Sequence, residues 1–359
     1  MTVSHAEATT AIASVFKELL GLPVGPDDDF FDLGGYSLLV VDVVERSRAA
    51  GLTVTALDVY AHPTPAGLAH QATGPADEPD PIARTPGFAA DLVSQVWRTG
   101  LSPWHETVPP SLVPLIPDGD GEPMVCVHLG TGHVRLFTHL AEVARGDRPV
   151  WGFEAIGYRA PVRPLLSIGE TAERYLTELR VAQPRGPYHL SGLCAGGVIA
   201  LEMAQRLRAE GEQVASLVLV DLPYGMPELD PGWGLTDHVD YLLGSLRHQF
   251  GLVDPVADLP AALAELKRRV WFEQETPEED FYRLTVLWAA AQFAQEHYAP
   301  RQWDGPVTAI APAERAEAAR AYWLPLLPQA EVCETVENAM IRIVKDPIVA
   351  EAFVKTMAG

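Results

Sequence analysis

The chain has 359 residues, 48% of them apolar, which is enough for a substantial core in one large domain and one small domain. Its formal net charge of −22, without clusters of Lys and Arg, argues against nucleic acids and anionic membranes as partners. No run of 18 apolar residues and no signal-like N-terminus occurs, so we expect a cytoplasmic protein.

The cysteines give no sign of a disulfide framework or a metal site. Cys126, Cys194 and Cys333 are far apart in the sequence and form no Cys/His grouping with the spacing of zinc ligands. We therefore expect no metal. For Cys126 and Cys333 we expect the ordinary role of a small buried apolar residue.

Residues 1–73 have the pattern of a small helical bundle. Apolar residues recur at helical spacing between residues 4 and 20, and Gly21 ends this helix. Ser37 begins a second helix, which Gly51 closes. The stretch ALDVYAHPTPAGLAHQA predicts a short helix, a proline break and another short helix. Together these elements predict an all-α domain of four helices.

A linker is predicted over residues 74–110, where proline and acidic residues become frequent. Within it, Phe88, Leu92 and Val96 recur on one face of a predicted helix. Such a helix is suited to docking on one of the two domains that flank it.

The sequence pattern changes over residues 111–359. Short apolar runs alternate with amphipathic helical segments, and the runs are PMVCVHL, PVWGFEA, YHLSGLC, ASLVLVD and PVTAIAP. This alternation predicts an α/β fold with a mostly parallel sheet and helices on both faces. Over about 223–300 the helical pattern continues without a clear strand, and we interpret this region as a helical lid.

The loop DDDFFDLGGYSLLV places two glycines, an aromatic residue and the Ser37 hydroxyl at the start of a helix. Ser37 taken alone has the ordinary reading of a helix N-cap. The segment as a whole, together with YAHPTPAGLA further on, resembles the peptidyl carrier domains of nonribosomal peptide synthetases. Tyr36 departs from the small polar, His or Asp residue that is usual in that family.

The carrier resemblance implies a cofactor and two partners. In that family the serine carries 4′-phosphopantetheine in phosphodiester linkage, and we transfer this role to Ser37. A phosphate is favoured at a helix N-terminus by the free amides and the helix dipole. The implied partners are an upstream nonribosomal peptide synthetase module and a phosphopantetheinyl transferase, which attaches the arm.

The stretch LSGLCAGGVIA, residues 190–200, predicts a buried strand, a tight glycine turn and a helix with Cys194 at the apex. This matches a nucleophile elbow with cysteine in place of serine. The strand and glycine loop VCVHLGTGH would supply a backbone N–H from about Leu129 or Gly130, which with the N–H of Ala195 would form an oxyanion hole. Asp221 ends the run LVLVD, where an acid would orient a base.

From PLIPDGDGEPMVCVH through GPYHLSGLCAGG to VASLVLVD, the second domain resembles the thioesterases that end nonribosomal peptide synthetases, which are α/β-hydrolases. The resemblance covers residues 112–359 and weakens over the lid. A carrier followed by a thioesterase is the order found at the end of such assembly lines. The resemblance therefore implies acyl transfer from a peptidyl or acyl thioester substrate.

The general base of that family is a histidine shortly after the last strand. Here the comparable stretch is TVENAMIRIVKDP, and Met340 stands at the position of that histidine. Either another histidine has taken the role or the thiol works without a dedicated base. His238 in the lid lies downstream of Asp221, and His133 ends the glycine loop; His248 or no base at all are the remaining alternatives.

The sulfur of Cys194 bears on both the missing base and the reaction. A free thiol has a pKa of about 8.5, which a helix N-terminus can lower, so some thiolate exists at neutral pH without a strong base. Serine has no such recourse. Exchange of one thioester for another is close to neutral in free energy, so the acyl group stays activated for a difficult step such as ring closure.

Intramolecular cyclisation is therefore the reaction we expect, and relatives with a cysteine nucleophile that close β-lactam or β-lactone rings in antibiotic biosynthesis are a suggestive resemblance. Hydrolysis to a free acid and transfer to a separate acceptor are the alternative reactions. A different class also stays open, because a second domain without its base could be a non-catalytic docking or gating module.

Overall fold

The computed structural model describes most of both predicted domains. The described ranges are 4–35, 62–73, 88–143, 148–223, 233–249, 276–313, 316–335 and 343–357, with isolated positions between 43 and 59 and between 263 and 274. Ser37, Tyr36 and Met340 lie outside the described residues, as do most of the predicted second helix and parts of the lid.

Two helices of the first domain are described, α1 (His5–Leu20) and α2 (Pro65–Thr73). Ser4 and Glu7 form a reciprocal capping box at the start of α1, and Gly21 ends the helix in the left-handed conformation with φ 67°. The apolar face of α1 packs into a core that includes Phe30, and Tyr241 of the second domain lies against that core. The predicted first helix is confirmed.

A seven-stranded sheet with the order β1-β3-β2-β4-β5-β6-β7 organises the second domain. Only the edge strand β1 is antiparallel, pairing with β3, among the pairings that the described residues make. The strands are β1 Leu112–Ile116, β2 Met124–Val127, β3 Val150–Phe153, β4 Tyr188–Leu193, β5 Val214–Val220, β6 Thr308–Pro312 and β7 Glu331–Thr335.

Helices cover both faces of this sheet and thereby bury its strands on both sides. Residues of α5 and α6 pack in one core cluster, and residues of α4 and α10 pack in the other. The mostly parallel α/β architecture that the sequence predicts is confirmed. The helices along the chain are α3 Phe88–Thr99, α4 Arg135–Val143, α5 Ile168–Ala182, α6 Ala195–Ala209, α7 Leu235–Gln249, α8 Phe281–Glu296, α9 Ala316–Trp323 and α10 Pro347–Met357.

The region predicted to be a lid contains α7 and α8, with a turn of 3-10 helix at Glu278–Asp280 before α8. The predicted linker helix α3 packs with them in one apolar cluster through Leu92 and Val96. The chain after α3 also touches the sheet domain, since Leu101 forms an isolated bridge to Val162. None of the described helices has the length and apolar character that crossing a bilayer requires.

Candidate active site

Cys194 occupies a strained turn between β4 and α6. Its φ of 53° and ψ of −121° lie in a region that non-glycine residues rarely adopt. Its N–H donates to the carbonyl of Val220 at 2.9 Å, so the turn is tied to the end of the neighbouring strand. The side chain is partly exposed. A helix N-terminus, where the dipole favours negative charge, therefore follows directly on an accessible thiol.

The glycines around Cys194 are required by close backbone contacts. A Cβ at Gly192 would lie closer than 3.0 Å to the backbone of Gly196, and a Cβ at Gly196 would lie closer than 3.0 Å to the carbonyl oxygens of Val127 and His128. A Cβ atom cannot lie this close to backbone atoms unless the backbone moves. The first turn of α6 is thus pressed against the end of β2.

Asp221 lies beside Cys194 at the carboxyl edge of the sheet. The preceding residues Leu193 and Val220 are paired in register, and Asp221 donates its N–H to the carbonyl of Ile310 at 2.8 Å. Asp221 also has a positive φ, 50°, and within the described residues it shares this with Cys194 alone among non-glycine positions. The carboxyl side chain is buried. Two adjacent strained positions with reactive side chains mark this edge as the candidate site.

The loop after β2 is held by His128. Burial lowers the pKa of His128 to about 4, against the opposing effect of the Leu129 carbonyl, so the ring is neutral. Its Nδ1–H donates to the Leu129 carbonyl at 2.7 Å. The Tyr175 hydroxyl oxygen lies 2.7 Å from Nε2 of His128 and 3.1 Å from the carbonyl oxygen of Glu154, so its one proton is shared between these two acceptors. The Leu129 carbonyl also accepts from the N–H of Gly132 at 2.9 Å.

This arrangement orients the peptide that joins Leu129 to Gly130. In a trans peptide the N–H points opposite to the carbonyl, so the N–H of Gly130 points away from His128 and Gly132. Gly196 brings the start of α6, which includes Ala195, against the carbonyls of Val127 and His128, where the loop begins. The geometry is compatible with the predicted oxyanion hole.

Replacing Tyr175 with phenylalanine tests the role of this loop. The ring stacks on Phe153 with centroids 4.4 Å apart, so Tyr175→Phe keeps the packing and removes only the hydroxyl, which contacts His128 and the Glu154 carbonyl. We expect kcat for acyl transfer to fall by roughly 10-fold with KM nearly unchanged, less than the ~100-fold cost of losing an oxyanion donor. Steady-state kinetics measure both constants, and an unaltered kcat would contradict the assignment.

The lid covers the glycine loop. A Cβ at Gly130 would lie 3.3 Å from Trp288 Nε1, and one at Gly132 would lie 3.4 Å from Leu287 Cδ2. Both lid residues belong to α8. His133, at the end of the loop, is fully buried with its ring 6.3 Å from that of Tyr158. The loop therefore lies between the sheet edge and α8.

His238 lies in the first turn of α7 with both ring nitrogens engaged. Nδ1 donates to the carbonyl of Gly234 at 3.0 Å, and Nε2 is 2.7 Å from Glu296 at the end of α8. A general base needs one nitrogen directed at the nucleophile. In this arrangement both nitrogens of His238 face groups of the lid, so the ring joins α7 to α8.

The pair of His238 and Glu296 predicts a pH-dependent stability. Burial lowers the pKa of His238, but the hydrogen bonds to Glu296 and Gly234 and the charge of Asp237 outweigh it and raise the pKa above the ordinary 6.5. A raised folded pKa gives stability that is complete below the unfolded pKa and lost as the pH rises through the folded one. We expect the Tm difference between the wild-type chain and Glu296→Gln to be larger at about pH 6 than at about pH 9. Thermal melts across this range measure it, and a difference independent of pH would contradict the pairing.

The described residues that follow Met340 in the sequence belong to an apolar cluster that Cys194 also contacts. Met340 itself is outside the described residues, but Ile343 and Val344, which follow it closely, pack in the same apolar cluster as Cys194. His248 falls within α7, and nothing of its side chain is described.

In the first domain, the described residues up to Gly35 form a tight turn that leads to Ser37. Gly34 has a φ of 101°, and a Cβ at Gly35 would lie closer than 3.0 Å to the ring of Phe30. The two glycines of the predicted attachment loop are thus required by the fold. This turn fits a loop that presents a serine for attachment of phosphopantetheine.

The other two cysteines differ from Cys194. Cys126 is fully buried in β2, and burial strongly raises the pKa of its thiol, as expected for a core residue. Cys333 is partly buried in β7, and burial and nearby Glu331 raise the pKa of its thiol. Neither thiol is suited to act as a nucleophile.

Comparison with known proteins adds two family matches. The sequence profile of the thioesterase domain matches residues 122–351, and that of the phosphopantetheine attachment site matches residues 10–71. The second match shows that the chain carries covalently attached 4′-phosphopantetheine on a serine.

Among curated proteins, the chain is 35% identical over 214 residues to malpinin synthetase of Mortierella alpina, covering 59% of this chain and 2% of that protein. It is 32% identical over 212 residues to a dimodular nonribosomal peptide synthase of Bacillus subtilis (strain 168), covering 58% and 8%. The chain thus spans only a small part of either relative.

Among solved structures, the chain is similar to a covalent complex of the NocB thioesterase domain with a fluorophosphonate nocardicin G analog. The TM-score is 0.50 and the identity 26%, and the similarity covers 69% of this chain and all of that one.

Proposed function

We propose that this chain, which belongs to the thioesterase domain family, releases a peptidyl or acyl chain from its own carrier domain through a thioester on Cys194. The observation that carries the proposal is the pair of strained, adjacent residues Cys194 and Asp221 at the carboxyl edge of the sheet. Catalytic nucleophiles and the acids that orient bases are held at such strained turns.

The attachment residue is proposed to be Ser37, two residues after Gly35 in the sequence and so just beyond the turn built by Gly34 and Gly35. When bound, phosphopantetheine supplies a thiol at the end of a flexible arm that reaches from the carrier to the thioesterase domain. The family matches at 10–71 and 122–351 lie within the proposed carrier at 1–73 and the proposed thioesterase domain at 111–359. Residues 74–110 are the proposed linker and about 223–300 the proposed lid.

In the first step Cys194 takes over the acyl group. The thiolate sulfur attacks the carbonyl carbon of the substrate thioester, a new carbon–sulfur bond forms to Cys194, and the bond to the leaving thiol breaks. The proton lost by Cys194 ends on that leaving thiol. The N–H groups of Gly130 and Ala195 stabilise the negative oxygen of the tetrahedral intermediate.

In the second step a nucleophile within the bound chain displaces the sulfur. An amide or hydroxyl attacks the carbonyl carbon, its proton passes to the sulfur of Cys194, and a ring is released. The thioester supports this reaction because it is a better acyl donor than the oxyester that a serine would form. Cyclisation is therefore the proposed reaction, and hydrolysis is the second candidate.

The proton transfers are proposed to occur without the family's usual histidine. Met340 stands at that position, and both nitrogens of His238 are engaged within the lid. Cysteine tolerates this loss because a thiol ionises far more readily than a serine hydroxyl. His133, buried beside the glycine loop, is the remaining histidine proposed near the site, and Asp221 is proposed to orient it or another polar group.

The proposed partners follow from the domain content. An upstream nonribosomal peptide synthetase module would load the carrier, and a phosphopantetheinyl transferase would modify Ser37. The carrier match and the two synthetase relatives support this assignment.

The mass of the released product tests the proposed reaction. The holo form of the chain, loaded on its carrier with a synthetic peptidyl group that contains an internal amine or hydroxyl, is expected to release a product lighter than the free acid by one water. A product with the mass of the free acid would replace cyclisation by hydrolysis. The matched control is Cys194→Ala, which should release neither product above background.

A further inference from the structure

An apolar pocket adjoins the elbow on the side of α5. About 430 Å³ of space, which includes open solvent, lies between walls that come from three helices and from the segments after β2 and β3. The residues that matter here are Thr171 and Tyr175 of α5, Ala195 and Ile199 of α6, and Ala291 and Ala294 of α8. The pocket therefore lies between the lid and the start of the nucleophile helix.

Small side chains on the lid make this space. Ala291 and Ala294 are three residues apart on α8, so they share one helix face, and that face is turned toward Ala195 and Ile199. Ala291 is partly exposed and Ala294 is buried. A larger residue at either position would occupy the volume that the alanines leave.

The polar groups that line the pocket have partners elsewhere. Thr171 donates its hydroxyl to the carbonyl of Ser167 at 2.9 Å, and the Tyr175 hydroxyl is bonded to His128, whose ring is neutral. No charged side chain belongs to the described lining. A charged or strongly polar group in this pocket would lose water without gaining a partner, whereas an aliphatic group gains from burial.

Ala195 connects this pocket to the proposed reaction. Ala195 both lines the pocket and supplies an oxyanion N–H in the proposed mechanism. A group held in the pocket would thus be attached near the reacting carbonyl carbon.

We propose that this pocket binds the side chain of the substrate residue that carries the thioester carbonyl, that this side chain is aliphatic, and that Ala291 limits its size. The proposal rests on the proposed function, since it requires that Cys194 accept an acyl group.

Pantetheine thioesters of N-acetylglycine, N-acetylalanine, N-acetylvaline and N-acetylaspartate test the pocket in the wild-type chain. The readout is the rate at which each acyl group appears on Cys194, followed by intact mass and peptide mapping. We expect the alanine and valine thioesters to react at least ~10-fold faster than the aspartate thioester, since a carboxylate in this apolar pocket would lose water without gaining a partner. Equal rates for all four would overturn the pocket while leaving the proposed function intact.

Ala291→Leu adds a test within the same assay. It is expected to lower the ratio of the valine rate to the glycine rate by ~10-fold. Gln295→Leu is the matched control, because it adds the same side chain one turn further along α8 at a residue outside the pocket lining. It should leave the ratio unchanged. A ratio unaltered by Ala291→Leu would overturn the role of Ala291, whereas no acylation of wild-type Cys194 by any thioester would refute the proposed function itself.

Discussion

Cys194→Ser is expected to slow product release by at least ~100-fold, because a serine hydroxyl must lose its proton to a general base and such bases contribute about this factor or more. Met340 stands at the position of the histidine that is the usual base in the family. Both ring nitrogens of His238 contact other groups, the carbonyl of Gly234 and the carboxyl of Glu296. A thiol needs less help because thiols ionise far more readily than hydroxyls. Release is measured with the loaded holo chain.

The control for this experiment is Cys333→Ser, which changes another partly buried thiol and is expected to leave release unaffected. A serine variant at position 194 that releases product as fast as the wild-type chain would mean that a competent base is present. The argument that links cysteine to the missing histidine would then be wrong.

Gly196→Ala is expected to destabilise the fold by about 3 kcal/mol or more. The new Cβ would lie closer than 3.0 Å to the carbonyl oxygens of both Val127 and His128. Because these are backbone atoms, relief requires α6 or β2 to move, and either movement separates the Ala195 N–H from the glycine loop. Urea denaturation measures the free energy of unfolding.

Gly234→Ala serves as the matched control. A Cβ there meets only Asp237 Oδ2 at 3.7 Å, an ordinary contact, and the residue is exposed. We expect its free energy of unfolding to stay close to that of the wild-type chain. A Gly196→Ala protein as stable as this control would contradict the tight contact between α6 and β2.

The parts of the molecule with local sequence signals could be predicted. The helix over residues 5–20 has an apolar stripe and a glycine stop, and the alternation of strands and helices gives a mostly parallel sheet. The elbow combines strand, glycine turn and helix within eleven residues, so the place of Cys194 in the fold could be read from the sequence. The position of Asp221 follows because consecutive parallel strands end at one edge.

Contacts between distant segments could not be predicted. Glu296 lies 58 residues from His238 and Tyr175 lies 47 residues from His128, and no local pattern links either pair. From the sequence alone, a histidine in the first turn of a lid helix is a candidate for a base that reaches the nucleophile from the lid. Only the packing of α7 on α8 shows that its nitrogens face Gly234 and Glu296.

The docking of α3 is a third case of this kind. The sequence gives an amphipathic helix inside a proline-rich linker, which fits either domain equally well. The structure places Leu92 and Val96 in the apolar cluster of the lid. The choice depends on the shape of the lid surface, which is formed by residues far along the chain.

Acylation of Cys194 is the most direct test of the central claim. Incubation of the chain with an acyl-pantetheine thioester, followed by intact-mass analysis and peptide mapping, is expected to show one added acyl group on the peptide that contains Cys194. A Cys194 peptide that stays unmodified under these conditions would contradict the account and favour a non-catalytic docking or gating module.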